Sequence, residues 1–176
     1  MDKASFDTEP KRFESISGET LICTLEVNSN SLCVTLRKEM RYISVKRTII
    51  LTILWLFALF DHTFLLPVLL GLIILSRIIF DILDTTEEML LIVNGLGYQV
   101  SSSSMFKQVV EFYPYEKVQN SFINEVILKR RVIYLLSLLL QTSTTQPKLV
   151  PLFQYLLPKR DCLEIIYRGI KSLDKN

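Results

Sequence analysis

Two uncharged apolar runs, residues 48–60 (TIILTILWLFALF) and 64–76 (FLLPVLLGLIILS), follow one another with only Asp61, His62 and Thr63 between them. No other feature limits the possible folds so strongly, because two such helices joined by three residues must return the chain to the side it came from. Each run is 13 residues long, about 20 Å of helix against about 30 Å of bilayer hydrocarbon. Ile43, Val45, Ile78, Ile79 and Phe80 extend the apolar character past Lys46, Arg47 and Arg77, whose long stems can carry their charges to a headgroup layer. The pattern therefore predicts a membrane hairpin over residues 43–80, with helices at about 46–60 and 64–80, either spanning twice or re-entering. A buried hairpin in a water-facing protein would show a polar stripe, and neither run has one. Lys38, Arg41, Lys46 and Arg47 precede the first run and Arg77 ends the second, so the positive-inside rule predicts both termini in the cytosol. Gly71 leaves room for the two helices to approach closely.

The remainder of the chain has a different character. Of 176 residues 49% are hydrophobic, yet 22% are charged, so the apolar content is concentrated rather than spread. A net charge of +2 is far from the dense basic stripe that nucleic acid requires, and no nucleic-acid partner is expected. Cys23, Cys33 and Cys162 follow neither a disulfide framework nor a zinc-ligand spacing, which predicts reduced thiols in a cytosol-facing domain. Residues 1–18 are polar, lack the apolar core of a cleaved signal peptide, and are read as a tail.

Residues 21–27 (LICTLEV) and 32–36 (LCVTL) flank Asn28, Ser29, Asn30 and Ser31, predicting a β-hairpin within residues 19–40. Pairing Val27 with Leu32 sets Leu25 opposite Val34 and Cys23 opposite Leu36 on an apolar face. Cys33 then points to the other face, away from Cys23. Further strands are expected at 89–93, 98–102, 108–112, 122–128 and 148–153, with Gly95 and Gly97 in the first of the intervening turns. The run 132–140 (VIYLLSLLL) fits a buried strand or a core helix equally by period. Over 158–173, Cys162, Ile165, Ile166, Gly169, Ile170 and Leu173 share a helical face, so an amphipathic helix closes a β-rich domain over 85–176. The expected fold class is an α+β membrane protein, with the two-helix hairpin inserted in a small pleckstrin-homology-like β-barrel or sandwich.

Five segments in order carry a family resemblance: 84–99 (DTTEEMLLIVNGLGYQ), 123–127 (INEVI), 132–135 (VIYL), 150–153 (VPLF) and 158–167 (PKRDCLEIIY). Together they resemble the PIG-H family, closely over the last half of the chain, in type over the hairpin, and only loosely over residues 1–40. The resemblance implies one component of the phosphatidylinositol N-acetylglucosaminyltransferase complex, held at the endoplasmic reticulum membrane. There a separate catalytic glycosyltransferase, the A component, would transfer N-acetylglucosamine from UDP-N-acetylglucosamine to phosphatidylinositol, the first step of GPI-anchor biosynthesis. The implied partners are that catalytic glycosyltransferase, the other subunits of the complex and the lipid bilayer. Asn94, Gly97, Asn124, Glu125, Asp161 and Cys162 lie in the matching segments and are the candidate partner-contact positions.

Chemistry-bearing residues are sparse. His62, the one histidine, lies in the hairpin loop with no second acid or base beside it, where a capping role outweighs catalysis. No two glutamates stand eight apart, so the Glu-x7-Glu pair of many retaining glycosyltransferases is missing. Gly95 and Gly97 lack the third glycine of a nucleotide-binding loop and fit a strand turn. Asp81, Asp84, Glu87 and Glu88 form an acidic cluster that could hold a divalent cation, though a solvated face is the plainer reading. Lys46, Arg47, Arg77, Arg130 and Arg131 are candidates for contact with anionic headgroups. The expectation is a non-catalytic subunit without cofactor or metal. The alternative is a hairpin-anchored protein that binds headgroups or shapes membranes.

Overall fold

The structure is a computed structural model that describes residues 10–39, 42–58, 65–128, 130–141 and 147–173. In chain order it contains β1 (Lys11–Glu14), β2 (Thr20–Val27), β3 (Ser31–Lys38), α1 (Tyr42–Ala58), α2 (Leu65–Leu83), β4 (Thr85–Val93) and β5 (Gly97–Ser104). Then follow β6 (Gln108–Pro114), a 3-10 turn (Tyr115–Lys117), β7 (Val118–Leu128), β8 (Arg131–Leu140), β9 (Lys148–Leu152) and α3 (Arg160–Leu173). The described residues fall into two compact units, one within 1–39, 85–103 and 107–176, the other within 40–84 and 104–106.

The first unit is a β body of two open antiparallel sheets, ordered β1-β2-β3-β4-β5-β6 and β7-β8-β9. The β2–β3 hairpin adopts the register that its alternation predicts: Val27 opposite Leu32, Leu25 opposite Val34, Cys23 opposite Leu36. Asn28 N–H donates to Ser31 O at 2.8 Å and closes the loop. β3 then pairs with β4, from the far side of the helical insertion, through Leu32 opposite Ile92, Val34 opposite Leu90 and Leu36 opposite Glu88. These residues share the core face, because side chains on one face recur every second position. The polar segment Lys11–Glu14, read from sequence as tail, is an edge strand instead, with Lys11 opposite Cys23 and Phe13 opposite Leu21.

In the second sheet β8 runs between β7 and β9, with Leu136 opposite Ile123 and Leu152, and Leu138 opposite Ser121 and Val150. A central strand is covered on both faces, which is why its sequence is continuously apolar and why period alone left helix and strand open. The amphipathic α3 packs on β2 and β3 of one sheet and on β7 and β8 of the other. It buries Cys162, Leu163, Ile166, Ile170 and Leu173. Leu163 takes the place that helical spacing gave Ile165, which is 37% exposed. One continuous core results, with Leu21, Leu36, Leu90, Leu136, Leu152 and Ile166 at 0–1% exposure. Each such aliphatic side chain contributes about 1.5–3 kcal/mol of transfer free energy.

β1 and the segment entering α3 are tied together. Ser15 Oγ donates to Leu156 O at 2.7 Å, Ile16 N–H to Leu157 O at 2.9 Å and Lys159 N–H to Glu14 O at 3.1 Å. Lys159 and Glu14 are also ion-paired, which holds the Glu14 carboxyl below its ordinary range.

Two expectations are overturned. The sheets do not close into a barrel: the 3-10 turn links β6 to β7, and they remain edges of separate sheets. Nor is there a two-helix membrane hairpin, since among the described residues no helix is long and apolar enough to cross a membrane. α1 has 17 residues and α2 has 19, about 26 and 29 Å of helix, but Lys46 and Arg47 lie within α1 and Arg77 and Asp81 within α2. Charges inside the helices leave apolar segments of about 20 Å, and snorkelling stems do not lengthen them to the hydrocarbon thickness. The expectation of two cytosolic termini rests on that hairpin and loses its basis with it. Asp61, His62 and Thr63 lie outside the described residues. In the second unit α1 and α2 pack on each other, and an alanine Cβ at Gly71 would lie 3.2 Å from Trp55 Nε1.

Candidate functional site

The acidic cluster divides along β4. Consecutive strand residues face opposite ways, so Glu87 is half-buried while Glu88 joins Leu90 and Ile92 on the core face at 3% exposure. Asp84 is exposed, and the Asp81 side chain lies outside the described residues. Among the described residues no three His, Cys, Asp or Glu side chains come together as a metal site. Glu88 instead accepts hydrogen bonds from Leu156 N–H at 3.0 Å and Tyr155 N–H at 3.4 Å. Burial pushes its carboxyl up, and the two N–H groups offset part of that rise. Sequence reasoning placed Glu88 in the acidic cluster and missed its burial, although its position two before Leu90 and four before Ile92 was a readable signal.

Glu88 also lines a cleft of about 230 Å³ between the β5–β6 side of the first sheet and β9 of the second, with Ser102, Glu111, Tyr113, Lys148 and Tyr155 along it. Tyr113 Oη donates to the Glu111 carboxylate. Burial first, then Glu111, pushes the Tyr113 phenol up to about 12. Glu88 thus ties β4 to the loop after β9, whereas Tyr113 bonds within its own strand.

The family-motif residues do not converge on one site. Asn94, half-buried after β4, donates its N–H to Asn30 O at 2.9 Å and ties two turns together. Gly97 is buried at φ +153°, where an alanine Cβ would lie 2.4 Å from Tyr113 O. Asn124 is half-buried opposite Leu135, and Glu125 is exposed opposite Tyr134. The Arg160 guanidinium stands 5.2 Å over the Tyr134 ring, so Glu125 and the start of α3 are linked through that tyrosine. Asp161 is exposed in the first turn of α3, where a negative charge favours the helix dipole. Cys162 is fully buried beside Cys23. The Cys23 thiol and burial both push the Cys162 thiol up, so Cys162 is a core residue and not a surface contact.

Of the candidate cations, Lys46 on α1 and Arg77 on α2 are exposed, and the Arg47 side chain lies outside the described residues. Arg130 and Arg131 are exposed at the tip of the β7–β8 hairpin, beside Ile127 at 79%, Leu128 at 47% and Val132 at 58% exposure. The second unit shows a still larger apolar surface. Ile49, Ile50, Ile53, Leu54 and Leu56 of α1 are exposed, as are Leu69, Leu72, Ile73, Ile78, Ile79 and Phe80 of α2. Exposed aliphatic side chains in this number make the second unit a candidate binding surface.

Part of this framework is similar to known proteins. Residues 89–154 match the family model described as the PIG-H component of the GPI-GlcNAc transferase complex. The chain is similar to the H subunit of phosphatidylinositol N-acetylglucosaminyltransferase from Mus musculus, 36% identical over 91 residues, covering 49% of this chain and 48% of that protein. The Homo sapiens protein of the same name is 37% identical over 92 residues, with the same coverage. The chain thus matches about half the length of these curated relatives. The shared stretch begins inside β4 and takes in β5 to β9, most of the two sheets that frame the cleft. Over residues 89–154 the chain is thus similar to the PIG-H family.

Proposed function

We propose that the chain is a non-catalytic component of the GPI-N-acetylglucosaminyltransferase complex, which transfers N-acetylglucosamine from UDP-N-acetylglucosamine to phosphatidylinositol at the start of GPI-anchor biosynthesis. Its role is to bind the catalytic glycosyltransferase of that complex and stabilise it on the endoplasmic reticulum membrane. The observation that carries this reading is the PIG-H segment at residues 89–154, together with relatives named for the same component of that enzyme. The chemistry of the body supports the non-catalytic part, because Glu88, its buried carboxylate, is held by the backbone of the loop after β9. The exposed aliphatic side chains of α1 and α2 supply what a stable contact between subunits needs, apolar area to remove from water.

Affinity purification of the tagged full chain from native membranes is expected to recover a glycosyltransferase. The purified chain alone, given UDP-N-acetylglucosamine and phosphatidylinositol, is expected to give no transfer product. Turnover above background would replace the scaffold reading with an enzymatic one. Leu69→Ser combined with Leu72→Ser and Ile73→Ser is expected to abolish recovery of the partner. The thermal transition of the β body should remain, since none of the three belongs to its core. Full recovery with the triple variant would remove α2 from the contact.

A further inference from the structure

Leu128 pairs with Arg131, so β7 and β8 meet directly at the hairpin end, beside Arg130. Two-residue turns favour Asn-Gly because the central positions take positive φ. Here Arg130 stands at φ +68°, a conformation unfavourable for any residue with a Cβ. Ile127 opposes Val132 on one face of the ribbon, and Leu128 opposes Arg131 on the other, so apolar side chains are exposed on both faces at once. Neither Arg130 nor Arg131 is ion-paired among the described residues. Backbone strain, exposed aliphatics and uncompensated cations in one short turn all work against folding of the body, and such local conflicts point to a binding role.

We propose that this hairpin tip docks on an anionic phospholipid surface. Ile127, Leu128 and Val132 enter the headgroup and upper acyl layer, and the Arg130 and Arg131 guanidiniums pair with phosphates. The two-faced apolar ribbon decides between a bilayer and an acidic protein. A protein surface covers one face of a protruding hairpin unless it has a matching slot, whereas a bilayer surrounds both. Arginine is suited to the boundary because its aliphatic stem lies in the apolar layer while its planar head binds phosphate oxygens bidentately. The inference is independent of membership in the transferase complex.

The test is sedimentation of the full chain with phosphatidylcholine vesicles, with and without phosphatidylserine. Arg130→Gly is expected to raise thermal stability, because it relieves the turn, and to lower partitioning onto the anionic vesicles about five-fold; adding Arg131→Gln lowers it about five-fold again. Both losses should shrink at high salt, and binding to phosphatidylcholine alone should not change. Ile127→Ser with Val132→Ser should reduce binding to both vesicle types. If the double arginine variant sediments with anionic vesicles like the unmodified chain, the proposal fails. If vesicle binding is unaffected while capture of a co-purifying protein is lost, the tip reads an acidic protein instead, and the proposal is likewise overturned.

Discussion

Gly97→Ala is expected to destabilise the β body by about 3–5 kcal/mol, a drop in melting temperature on the order of 10 °C for a chain of this size. The added Cβ would lie 2.4 Å from Tyr113 O and 2.8 Å from Phe112 Cζ. The phenylalanine ring can swing aside, but the carbonyl cannot, because it lies in β6 where Tyr113 opposes Tyr98 and Pro114 opposes Gly97. Moving that oxygen would shift the β5–β6 register or break the hydrogen bond from Tyr115 N–H to Leu96 O. The φ of +153° adds a conformational cost to the steric one. Gly95→Ala is the control, since Gly95 also has positive φ, +76°, but nothing within 4 Å of its Cβ position. It should cost only about 1–2 kcal/mol, and the difference between the two melting curves measures the clash. Equal losses would place the whole effect in backbone conformation.

Glu88→Ala is expected to cost about 2–4 kcal/mol, because it leaves the N–H groups of Leu156 and Tyr155 without their acceptor beneath the core. Glu88→Gln keeps one acceptor and the shape, and it isolates the charge. Burial raises the folded-state pKa of Glu88 above the ordinary 4.5, so the folded state holds its proton more tightly than the unfolded chain does. The resulting stabilisation is fully present below that ordinary value and is lost as pH rises through the raised one. The melting temperature of the Glu88→Gln variant relative to the unmodified chain should therefore rise as the pH is increased above the ordinary 4.5. A difference that stays flat or falls would mean that the two N–H donors outweigh burial and that Glu88 is ionised in the fold at no cost.

Where neighbours in sequence determine neighbours in space, the amino-acid pattern was readable. Four polar residues between two alternating runs left one sensible pairing for β2 and β3, and the residues of α3 that reach the core are helically spaced. The pattern became ambiguous where burial removes alternation: β8 is covered on both faces, so its aliphatics carry no period. It misled at Lys11–Glu14, whose charges are tolerated because an edge strand exposes them, and at Glu88, where charge outweighed the position two residues before Leu90. The apolar runs did locate α1 and α2, but crossing a bilayer depends on uninterrupted length, and Lys46, Arg47 and Arg77 limit that. Barrel closure depends on whether β6 pairs with β7, which no local pattern encodes. The family segments marked Gly97 and Cys162, and only the folded chain shows that both serve packing. The exposure of Ile127 and Val132 around Arg130 likewise needed the fold, since in sequence they are ordinary strand residues.

The tie between Ser15 and Leu156 bridges 141 positions, and that separation bears on how the protein is made. A ribosome releases β1, β2 and β3, then both greasy helices, then six more strands, before the acceptors for Ser15 and Ile16 exist. Long-range closure of this type is slow, so the nascent chain must travel with a half-built first sheet and a sticky helical pair, a condition in which chaperones act. A partner that requires the finished body must therefore wait until translation has passed α3.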